Sequence, residues 1–244
     1  MPRFFAPSDN FTENEIKITG DDAFHIARAL RMAVGDAVTV CDMHGTEYGC
    51  ILTKIRDGEC LCEIKTRTEG KTESPVFISL YMAYPKGDKL EIVTQKAVEL
   101  GACEIIPFES SRCIRKAKPE KAERETARLS KIAEEAAKQC GRSRLVSVLS
   151  PLSYKEAITR AAGSDAILFC YEGDGAESLK KTLASLNNIK TVAVVVGSEG
   201  GFSLSEVEAA RTLGAKIVNL GPRILRCETA PSYILSALSY HFEL

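Results

Sequence analysis

The chain has 244 residues, of which 45% are hydrophobic and 27% are charged, and its formal net charge at pH 7 is −1. This balance is typical of a globular protein with a sizeable core, and it excludes an intrinsically disordered chain. The length leaves room for two unequal domains. A net charge close to zero argues against indiscriminate coating of nucleic acid, so any such contact has to depend on local basic patches.

No apolar run in the sequence reaches the length of a membrane-spanning helix or of a signal-peptide core. We therefore expect a cytoplasmic protein without membrane contact. The nine cysteines are scattered, the three histidines are not clustered, and the close pair Cys60 and Cys62 has no further ligands nearby. This distribution predicts reduced, mostly buried thiols and no metal site.

Residues 1–72 contain short β-rich stretches, such as 37–41 and 48–52, that are separated by glycines. The pattern predicts a small β-barrel domain. A single helix is predicted over residues 23–32, with Phe24, Ala27, Leu30 and Met32 facing inward and with Arg28 and Arg31 on the outer face. Two arginines at this spacing suit a phosphate backbone.

A charged, turn-rich stretch from Thr66 to Pro75 is expected to link this domain to a second one over residues 73–244. After it, apolar segments of strand length alternate with helical patterns. This alternation predicts an α/β domain in which helices cover both faces of a mostly parallel sheet. Strands are expected at 76–84, 103–108, 166–171, 191–196 and 216–220, and helices at 89–100, at 119–140, after Ser203 and from Thr229.

The segment between Arg112 and Arg144 is strongly basic, with eleven Lys or Arg residues and five Glu residues. One interpretation is contact with RNA phosphates. The other is a solvated helix with Glu/Lys pairs four residues apart, which explains the middle of the segment well. From charge alone the two interpretations are equally supported. The arginines that flank the helix suit RNA phosphates better than the charged residues within it.

Ligands of parallel α/β sheets bind beyond the carboxyl ends of the strands, and three segments in such positions are candidates. Gly197–Phe202 precedes a helix that starts with capping-box spacing, and its glycines let the backbone approach a ligand. Leu220–Ala230 contains two arginines, and Phe169–Gly173 runs into a carboxylate. The glycine segment is neither a Walker loop nor a GxGxxG motif, so a simple tight turn is the alternative.

These segments, in this order and spacing, resemble the SPOUT class of methyltransferases, and most closely the family that methylates N3 of a uridine in small-subunit (16S) ribosomal RNA. The resemblance extends over both domains. The motifs that carry it are Pro2–Phe5, Leu30–Met32, Val34–Asp36, Lys86–Lys89, Gln95–Gly101, Glu135–Arg142, Gly197–Phe202 and Leu220–Ala230.

The resemblance implies a PUA-like barrel over residues 1–72 and a SPOUT domain over residues 73–244 that ends in a trefoil knot. It also implies S-adenosylmethionine as the methyl donor, a homodimer, and 16S ribosomal RNA, in the small ribosomal subunit, as the partner. The sequence departs from the family at Ser198, where the family has a proline, and at Cys170 and Tyr171, where it more often has a turn-forming residue.

The resemblance also implies the roles of particular residues. The residues expected around the donor are Leu168, Phe169, Cys170, Tyr171, Glu172, Val196, Gly197, Glu199, Gly200, Gly201, Leu220, Gly221, Ile224, Leu225, Arg226, Thr229 and Ala230. Those expected along the RNA are Arg3, Arg28, Arg31, Lys86, Lys89, Arg112, Arg142 and Arg223.

Methylation of uracil N3 requires loss of its proton, which leaves negative charge on the neighbouring carbonyl oxygens. An arginine that faces these oxygens would stabilise the anion, and Arg226 is the first candidate, with Arg3 as a helper. Glu172 is a candidate proton acceptor. Its alternative role is a hydrogen bond that stabilises the loop.

Two other functions stay open at this stage. A donor-free RNA-binding or assembly protein would need the barrel and the basic segments, but not the glycine and arginine motifs. A methyltransferase that acts on transfer RNA or on a protein would have the same donor site, because that site carries no information about the acceptor.

Overall fold

The structure, a computed structural model, describes residues 1–56, 58–117 and 119–244. The chain folds as two compact units, of which unit 1 comprises residues 1–73 and 137–145 and unit 2 comprises residues 74–136 and 146–244. Residues 137–145 were assigned to the second domain by sequence, but they belong to unit 1. Lys118, one of the basic residues counted above, lies outside the described residues.

Unit 1 contains a five-stranded sheet in the order β1-β3-β4-β5-β2. Ile16 and Ile18 lie opposite Cys62 and Cys60 on the neighbouring strand, and all four side chains are buried. This alternation forms the core of the unit and confirms the predicted β-rich domain. The strands are β1 (Arg3–Phe5), β2 (Glu15–Thr19), β3 (Ala37–Cys41), β4 (Thr46–Arg56) and β5 (Glu59–Glu69).

The predicted linker from Thr66 is too long at its start. Residues 66–69 belong to β5 and pair with residues 46–49 of β4. Their mostly polar sequence is compatible with a strand because this end of the β4–β5 ribbon is largely exposed. A charged composition alone therefore did not distinguish an exposed strand from a linker.

The predicted helix over residues 23–32 was wrong in length and in most of its inward face, although Met32 packs against the core as expected. Helix α1 covers only Asp21–Phe24 and continues as one π-helical turn over His25–Ala29. The wider turn changes the angular spacing of side chains, so the buried residues are Ala23 and Ile26. Phe24 and Leu30 are instead 39% and 41% exposed.

Segment 137–145 is held within unit 1 by the carboxylate of Glu73. This carboxylate accepts hydrogen bonds from the backbone amides of Ser143 and Arg144, and it forms an ion pair with Arg142 at 2.6 Å. Arg142 is only 2% exposed. Contrary to prediction, its guanidinium is engaged in a buried ion pair and does not face solvent, where an RNA phosphate would bind.

Unit 2 contains an eight-stranded sheet in the order β11-β13-β10-β12-β6-β7-β8, with β9 beside β7. The paired strands of this sheet are parallel. The strands are β6 (Phe77–Ala83), β7 (Glu104–Glu109), β8 (Ser147–Val148), β9 (Leu152–Ser153), β10 (Ala166–Cys170), β11 (Glu177–Ser178), β12 (Thr191–Val196) and β13 (Lys216–Asn219).

The central strands β6, β10 and β12 are buried along nearly their whole length. Because successive side chains of a strand point to opposite faces, such burial requires that both faces of the sheet be covered. The predicted fold class, a mostly parallel sheet with helices on both faces preceded by a small β domain, is confirmed. The short strands β8, β9 and β11 were not predicted.

The four helices predicted after residue 73 lie within one residue of the expected positions. Gly101 and Gly141, expected to stop two of them, have φ angles of 88° and 81°. No helix in the described ranges combines the length and the apolar character needed to span a bilayer. The remaining helices are α2 (Lys89–Glu99), α3 (Pro119–Cys140), α4 (Tyr154–Ala161), α5 (Leu179–Ala184), α6 (Leu204–Thr212) and α7 (Thr229–Glu243).

Glu73→Gln is expected to lower the free energy of unfolding at pH 7 by about 3–5 kcal/mol, because it breaks the buried ion pair between Glu73 and Arg142. Urea denaturation measures this change. Burial opposes ionisation of Glu73, but the hydrogen bonds and charge of Arg142 hold its pKa below the ordinary value of 4.5.

Since the pKa is depressed in the folded state, the stabilisation is present above about pH 4.5 and is lost as the pH falls through the folded-state pKa. The difference between variant and parent should therefore shrink at low pH. The control is Glu63→Gln, which breaks an exposed pair with Lys65 and should cost less than about 1 kcal/mol. Equal stability of Glu73→Gln and the parent at pH 7 would contradict the assignment.

Candidate functional site

Strands β13, β10 and β12 are neighbours in the unit 2 sheet and run parallel, so their carboxyl ends lie at the same edge. The segments that follow them, 219–227, 170–173 and 196–202, line one cavity of about 1040 Å³. The three segments chosen from sequence are thus brought together. Lys89, Arg112 and Ala230 complete the lining.

The glycines after β12 are required by the packing of the loop. A Cβ on Gly197 would lie 3.1 Å from the ring of Phe202, and one on Gly200 would lie 2.8 Å from the backbone oxygen of Arg112. Gly201 has a φ of 61°, and its amide donates to the carbonyl of Ser198. The loop is a closed turn, as the alternative interpretation had it, and its backbone forms part of the cavity wall. Close approach of this backbone to a ligand stays a prediction.

Phe202 anchors this loop to the core, a role that sequence reasoning missed. Its ring is fully buried, lies 4.3 Å from the ring of Phe169 and stacks on Phe108 at 6.3 Å. Aromatic packing of this kind fixes the loop against the sheet. The signal available in the sequence was a large apolar residue directly after a glycine run.

The predicted capping box starts α6 directly after the loop. The Ser203 hydroxyl accepts from the Glu206 amide, and the Glu206 carboxylate accepts from the Ser203 amide at 2.8 Å. The carboxylate also accepts from the amide and the hydroxyl of Ser111. Burial opposes ionisation of Glu206, but these hydrogen bonds together lower its pKa. Glu206 therefore joins the glycine loop to the chain after β7.

The segment after β13 leads into α7 through Arg226, whose carbonyl accepts from the amides of Thr229 and Ala230. The backbone of Arg226 is thereby fixed, while its side chain is exposed at the cavity. Within the described part of the chain, no carboxylate pairs with Arg226 or Arg223. Both guanidiniums are consequently available to an anionic group.

Lys89 differs from these arginines because its charge is neutralised locally. Its ammonium group bonds the carboxylates of Glu199 at 2.9 Å and Glu228 at 3.2 Å, which raises the pKa of Lys89. Burial of Glu199 opposes its ionisation, but hydrogen bonds from Lys89 and from the backbone amide of Lys86 lower its pKa to about 2. Lys89 thus links the two loops of the cavity. A lysine that contacts RNA was expected to be a solvent-exposed cation, and Lys89 is not one.

The segment after β10 supplies Cys170, Tyr171, Glu172 and Gly173 to the cavity. Burial raises the pKa of the Cys170 thiol to about 12, so this thiol is protonated at neutral pH. Glu172 is exposed, and among the described residues nothing bonds to its carboxylate. The alternative role of Glu172 as a loop-stabilising hydrogen-bond acceptor therefore has no support in the structure.

Three residues expected around the donor are placed differently. Leu168 and Phe169 are buried in β10, Thr229 begins α7, and none of the three is among the lining residues. Ile224 lines the cavity, as expected, and is 80% exposed. Asn219 lines the cavity outside the three chosen segments, and five lining residues within those segments had not been named as donor contacts: Gly173, Ser198, Phe202, Pro222 and Cys227.

The remaining candidate RNA contacts fall into two groups. In unit 1, Arg3 is engaged by an ion pair with Glu47 at 2.9 Å, Arg28 lies over the Phe24 ring, and Arg31 is exposed with a φ of 50°. In unit 2, Lys86 is exposed, and Arg112 is also exposed and donates to the Gly200 carbonyl at 3.3 Å.

The cysteines are mostly buried, as the sequence predicted. All nine cysteines are free, and seven are buried. Across residues 1–56, 58–117 and 119–244, no group of three or more His, Cys, Asp or Glu side chains is arranged to hold a metal ion.

Known proteins share both parts of this architecture. A family model described as an RNA methyltransferase domain matches residues 72–239, and one described as an RNA methyltransferase PUA domain matches residues 18–65. The ribosomal RNA small subunit methyltransferase E of Bacillus subtilis is 36% identical over 231 residues, which are 93% of this chain and 90% of that protein. The chain belongs to the ribosomal RNA small subunit methyltransferase E family.

Other members of the family support the same assignment. The protein of that name from Aquifex aeolicus is 32% identical over 80% of this chain and 81% of its own length. The crystal structure of the Neisseria gonorrhoeae enzyme bound to S-adenosyl methionine has a TM-score of 0.85, with 29% identity over 98% of this chain and 97% of that one. The predicted family and fold are therefore confirmed over both units.

Gly200→Ala is expected to lower the free energy of unfolding by about 1–3 kcal/mol, since the added Cβ would collide with Arg112 and force the loop to move. Urea denaturation measures the change. Gly163→Ala serves as the control, because a Cβ there would meet its nearest neighbour, the Arg160 oxygen, at 3.4 Å. Equal stability of the two variants would show that the loop has room for a side chain.

Proposed function

We propose that this chain transfers the methyl group of S-adenosylmethionine to N3 of a uridine in 16S ribosomal RNA. The proposal rests chiefly on the glycine-walled cavity at the carboxyl ends of β10, β12 and β13, with the unpaired guanidinium of Arg226 at its edge. Membership of the methyltransferase E family supports it, as does the donor bound to the Neisseria relative.

The cavity suits a nucleoside-containing donor in size and chemistry. Its volume is at the upper end of the range of about 300–1,000 Å³ that is typical of ligand sites. Gly197 and Gly200 leave no room for a Cβ, because it would meet Phe202 or Arg112, so these two positions of the cavity wall are backbone only. We assign the donor to the segments 170–173, 196–201 and 219–225, together with Ala230 and the backbone, but not the side chain, of Arg226.

The bound donor would supply an electrophilic methyl group on a positively charged sulfur, so the protein has to orient the acceptor and manage its proton. We assign stabilisation of the uracil anion to Arg226. A guanidinium without a carboxylate partner can direct its donors to the anionic carbonyl oxygens of the base, where water is excluded. Arg3 fits this role less well, because Glu47, Cys41 and the Arg142 carbonyl already engage its guanidinium.

Glu172 is the proposed proton acceptor for N3, either directly or through water. Its carboxylate is exposed beside the cavity and has no partner in the described chain that would compete with the base. Since N3 lies on the pairing edge of uracil, the uridine must be unpaired or extruded before reaction.

The RNA path is proposed to follow cations that are exposed and have no carboxylate partner among the described residues. Lys89 and Arg142 do not meet this criterion, for the reasons given above. Those that do are Arg31, Lys86, Arg112 and Arg223. Arg28, which lies over the Phe24 ring, is retained as a contact of the same surface in unit 1.

Several further features are proposed on the basis of the family. Residues 1–72 would form a PUA-like RNA-binding domain, and residues 73–244 a SPOUT domain with a trefoil knot at its carboxyl end. The protein would act as a homodimer in the cytoplasm, on 16S ribosomal RNA within the small ribosomal subunit.

A direct test is to incubate the protein with methyl-labelled S-adenosylmethionine and undermodified small ribosomal subunits, and to identify the labelled nucleoside by mass spectrometry. Label in 3-methyluridine is the expected result. Label in another nucleoside would retain the methyltransferase but reject the acceptor atom. Absence of donor binding by isothermal titration would instead favour a donor-free RNA-binding protein.

Arg226→Ala is expected to lower kcat for methylation by about 100-fold or more, as loss of a transition-state hydrogen-bond donor does, while donor affinity stays unchanged. Arg226→Lys should recover only part of the rate, because an ammonium group lacks the planar pair of donors. The control is Arg211→Ala on α6, where the arginine lies near Glu208 and outside the cavity. Full turnover of Arg226→Ala would remove Arg226 from the mechanism.

A further inference from the structure

A second cavity of unit 2 lies between the start of α2 and the amino-terminal half of α3. Its volume is about 330 Å³, and it shares no lining residue with the donor cavity. Lys121, Arg124 and Arg128 of α3 line it. Because they are three and four residues apart, they lie on one side of the helix, and we call them the basic face of α3.

Two cations of the basic face, Lys121 and Arg124, have no carboxylate partner. Both are exposed, and among the described residues no carboxylate bonds either side chain. On a solvated helix with paired charges, Lys121 would pair with Glu125 and Arg124 with Glu120, each four residues away. Neither pair is formed. The interpretation of a solvated helix therefore does not account for this part of α3.

Glu125 does not pair with Lys121 because other groups engage its carboxylate. It forms an ion pair with Arg115, and it accepts a hydrogen bond from the hydroxyl of the buried Tyr84 at 3.3 Å. Arg115 also donates to the Gly87 carbonyl at 2.9 Å. These bonds join α3 to the chain that follows β6 and hold the cavity wall in place. They neutralise the charge of Arg115 and leave that of Lys121 uncompensated.

The basic face is unfavourable for the protein on its own. Arg124 and Arg128 are like charges four residues apart on a helix, and Lys121 lies in the first turn of α3, where the helix dipole opposes a cation. Glu91 pairs with Arg128 at 2.8 Å, but Asp88, which also lines the cavity, bonds neither of the other two cations. An anion bound in the cavity would relieve this excess of positive charge.

We propose that the basic face of α3 binds a phosphate group of the RNA substrate, with Lys121 and Arg124 as the contacting residues. This inference rests on the proposed function, to which it adds an RNA contact outside the donor cavity. A guanidinium matches a phosphate with two parallel hydrogen bonds, and at least half of the hydrogen bonds that proteins make to nucleic acid go to phosphate and sugar.

The cavity also strengthens such a contact. Leu90 and Leu129, both buried, line it together with the cations, and an apolar wall increases the attraction between opposite charges beside it. RNA is favoured over an acidic protein as the source of the anion. The reason is that the match to the RNA methyltransferase domain, over residues 72–239, includes the whole of α3.

The experiment compares three full-length proteins: the parent, the double variant Lys121→Gln with Arg124→Gln, and the control Lys155→Gln with Lys180→Gln. The control residues are exposed, lie on α4 and α5, line neither cavity and remove the same charge. Binding is measured at several salt concentrations to a 16S ribosomal RNA transcript and to undermodified small ribosomal subunits.

The α3 variant is expected to bind the transcript and the subunits about 10-fold more weakly at low salt. The slope of log K against log salt concentration should become shallower by roughly 1.4–1.8, because each lost phosphate contact removes roughly 0.7–0.9. The control should bind nearly as the parent does.

Two further measurements separate an RNA contact from a structural role. The affinity of the α3 variant for S-adenosylmethionine, by isothermal titration, should equal that of the parent, because neither residue lines the donor cavity. Urea denaturation without RNA should show no loss of stability, because the substitutions break no ion pair and remove unfavourable charge.

Four results would overturn the proposal. The first is a parent-like RNA affinity and salt slope of the α3 variant, and the second is an equal loss in the control, which would reflect net charge alone. The third is a loss of stability without RNA, which would make the residues structural. The fourth is weaker binding to subunits while variant and parent bind the transcript equally, which would indicate an acidic protein as the partner.

Failure of this contact is distinguishable from failure of the proposed function. If the parent forms 3-methyluridine but the α3 variant binds RNA as the parent does, only the contact is wrong. If the parent forms no 3-methyluridine but the α3 variant still loses RNA affinity, the contact is retained and the proposed reaction is wrong.

Discussion

The site depends on the parallel pairing of β13, β10 and β12. Leu168 of β10 lies opposite Val194 on one side and Lys216 on the other. Because all three strands run in the same direction, the chain leaves each of them at the same edge. Segments that are up to about 50 residues apart in sequence therefore form one cavity wall. This pairing sets the positions of the glycine turn, the arginine segment and the carboxylate of Glu172.

Charged residues of the same type have different roles in this protein, and the difference lies in their partners. Arg142 is buried against Glu73, and Lys89 is held between Glu199 and Glu228. These cations are engaged by carboxylates of the protein itself and so contribute to its fold. Arg226 has no such partner in the described chain. Its charge is left for a ligand, which is why the proposed catalytic role falls on it.

The loop after β12 is held rigidly in the cavity wall. Phe202 fixes its end in an aromatic cluster, and the Ser203–Glu206 capping box fixes the start of α6. The glycines before Phe202 let the loop pack against Phe202 and Arg112. A cavity wall that is held in place in this way suits a ligand that must be oriented before it reacts.

The sequence by itself determined the features that depend on neighbouring residues. The long strands and helices of unit 2, the glycine stops, the capping box and the three loops after the strands follow from local periodicity and turn chemistry. Tertiary structure alone decided the rest. Residues 137–145 join unit 1 through Glu73, and residues 66–69 extend β5 because β4 lies beside them. Whether a lysine or arginine faces solvent depends on carboxylates far away in sequence, as Lys89 shows with Glu228, and a local pattern carries no information about such partners.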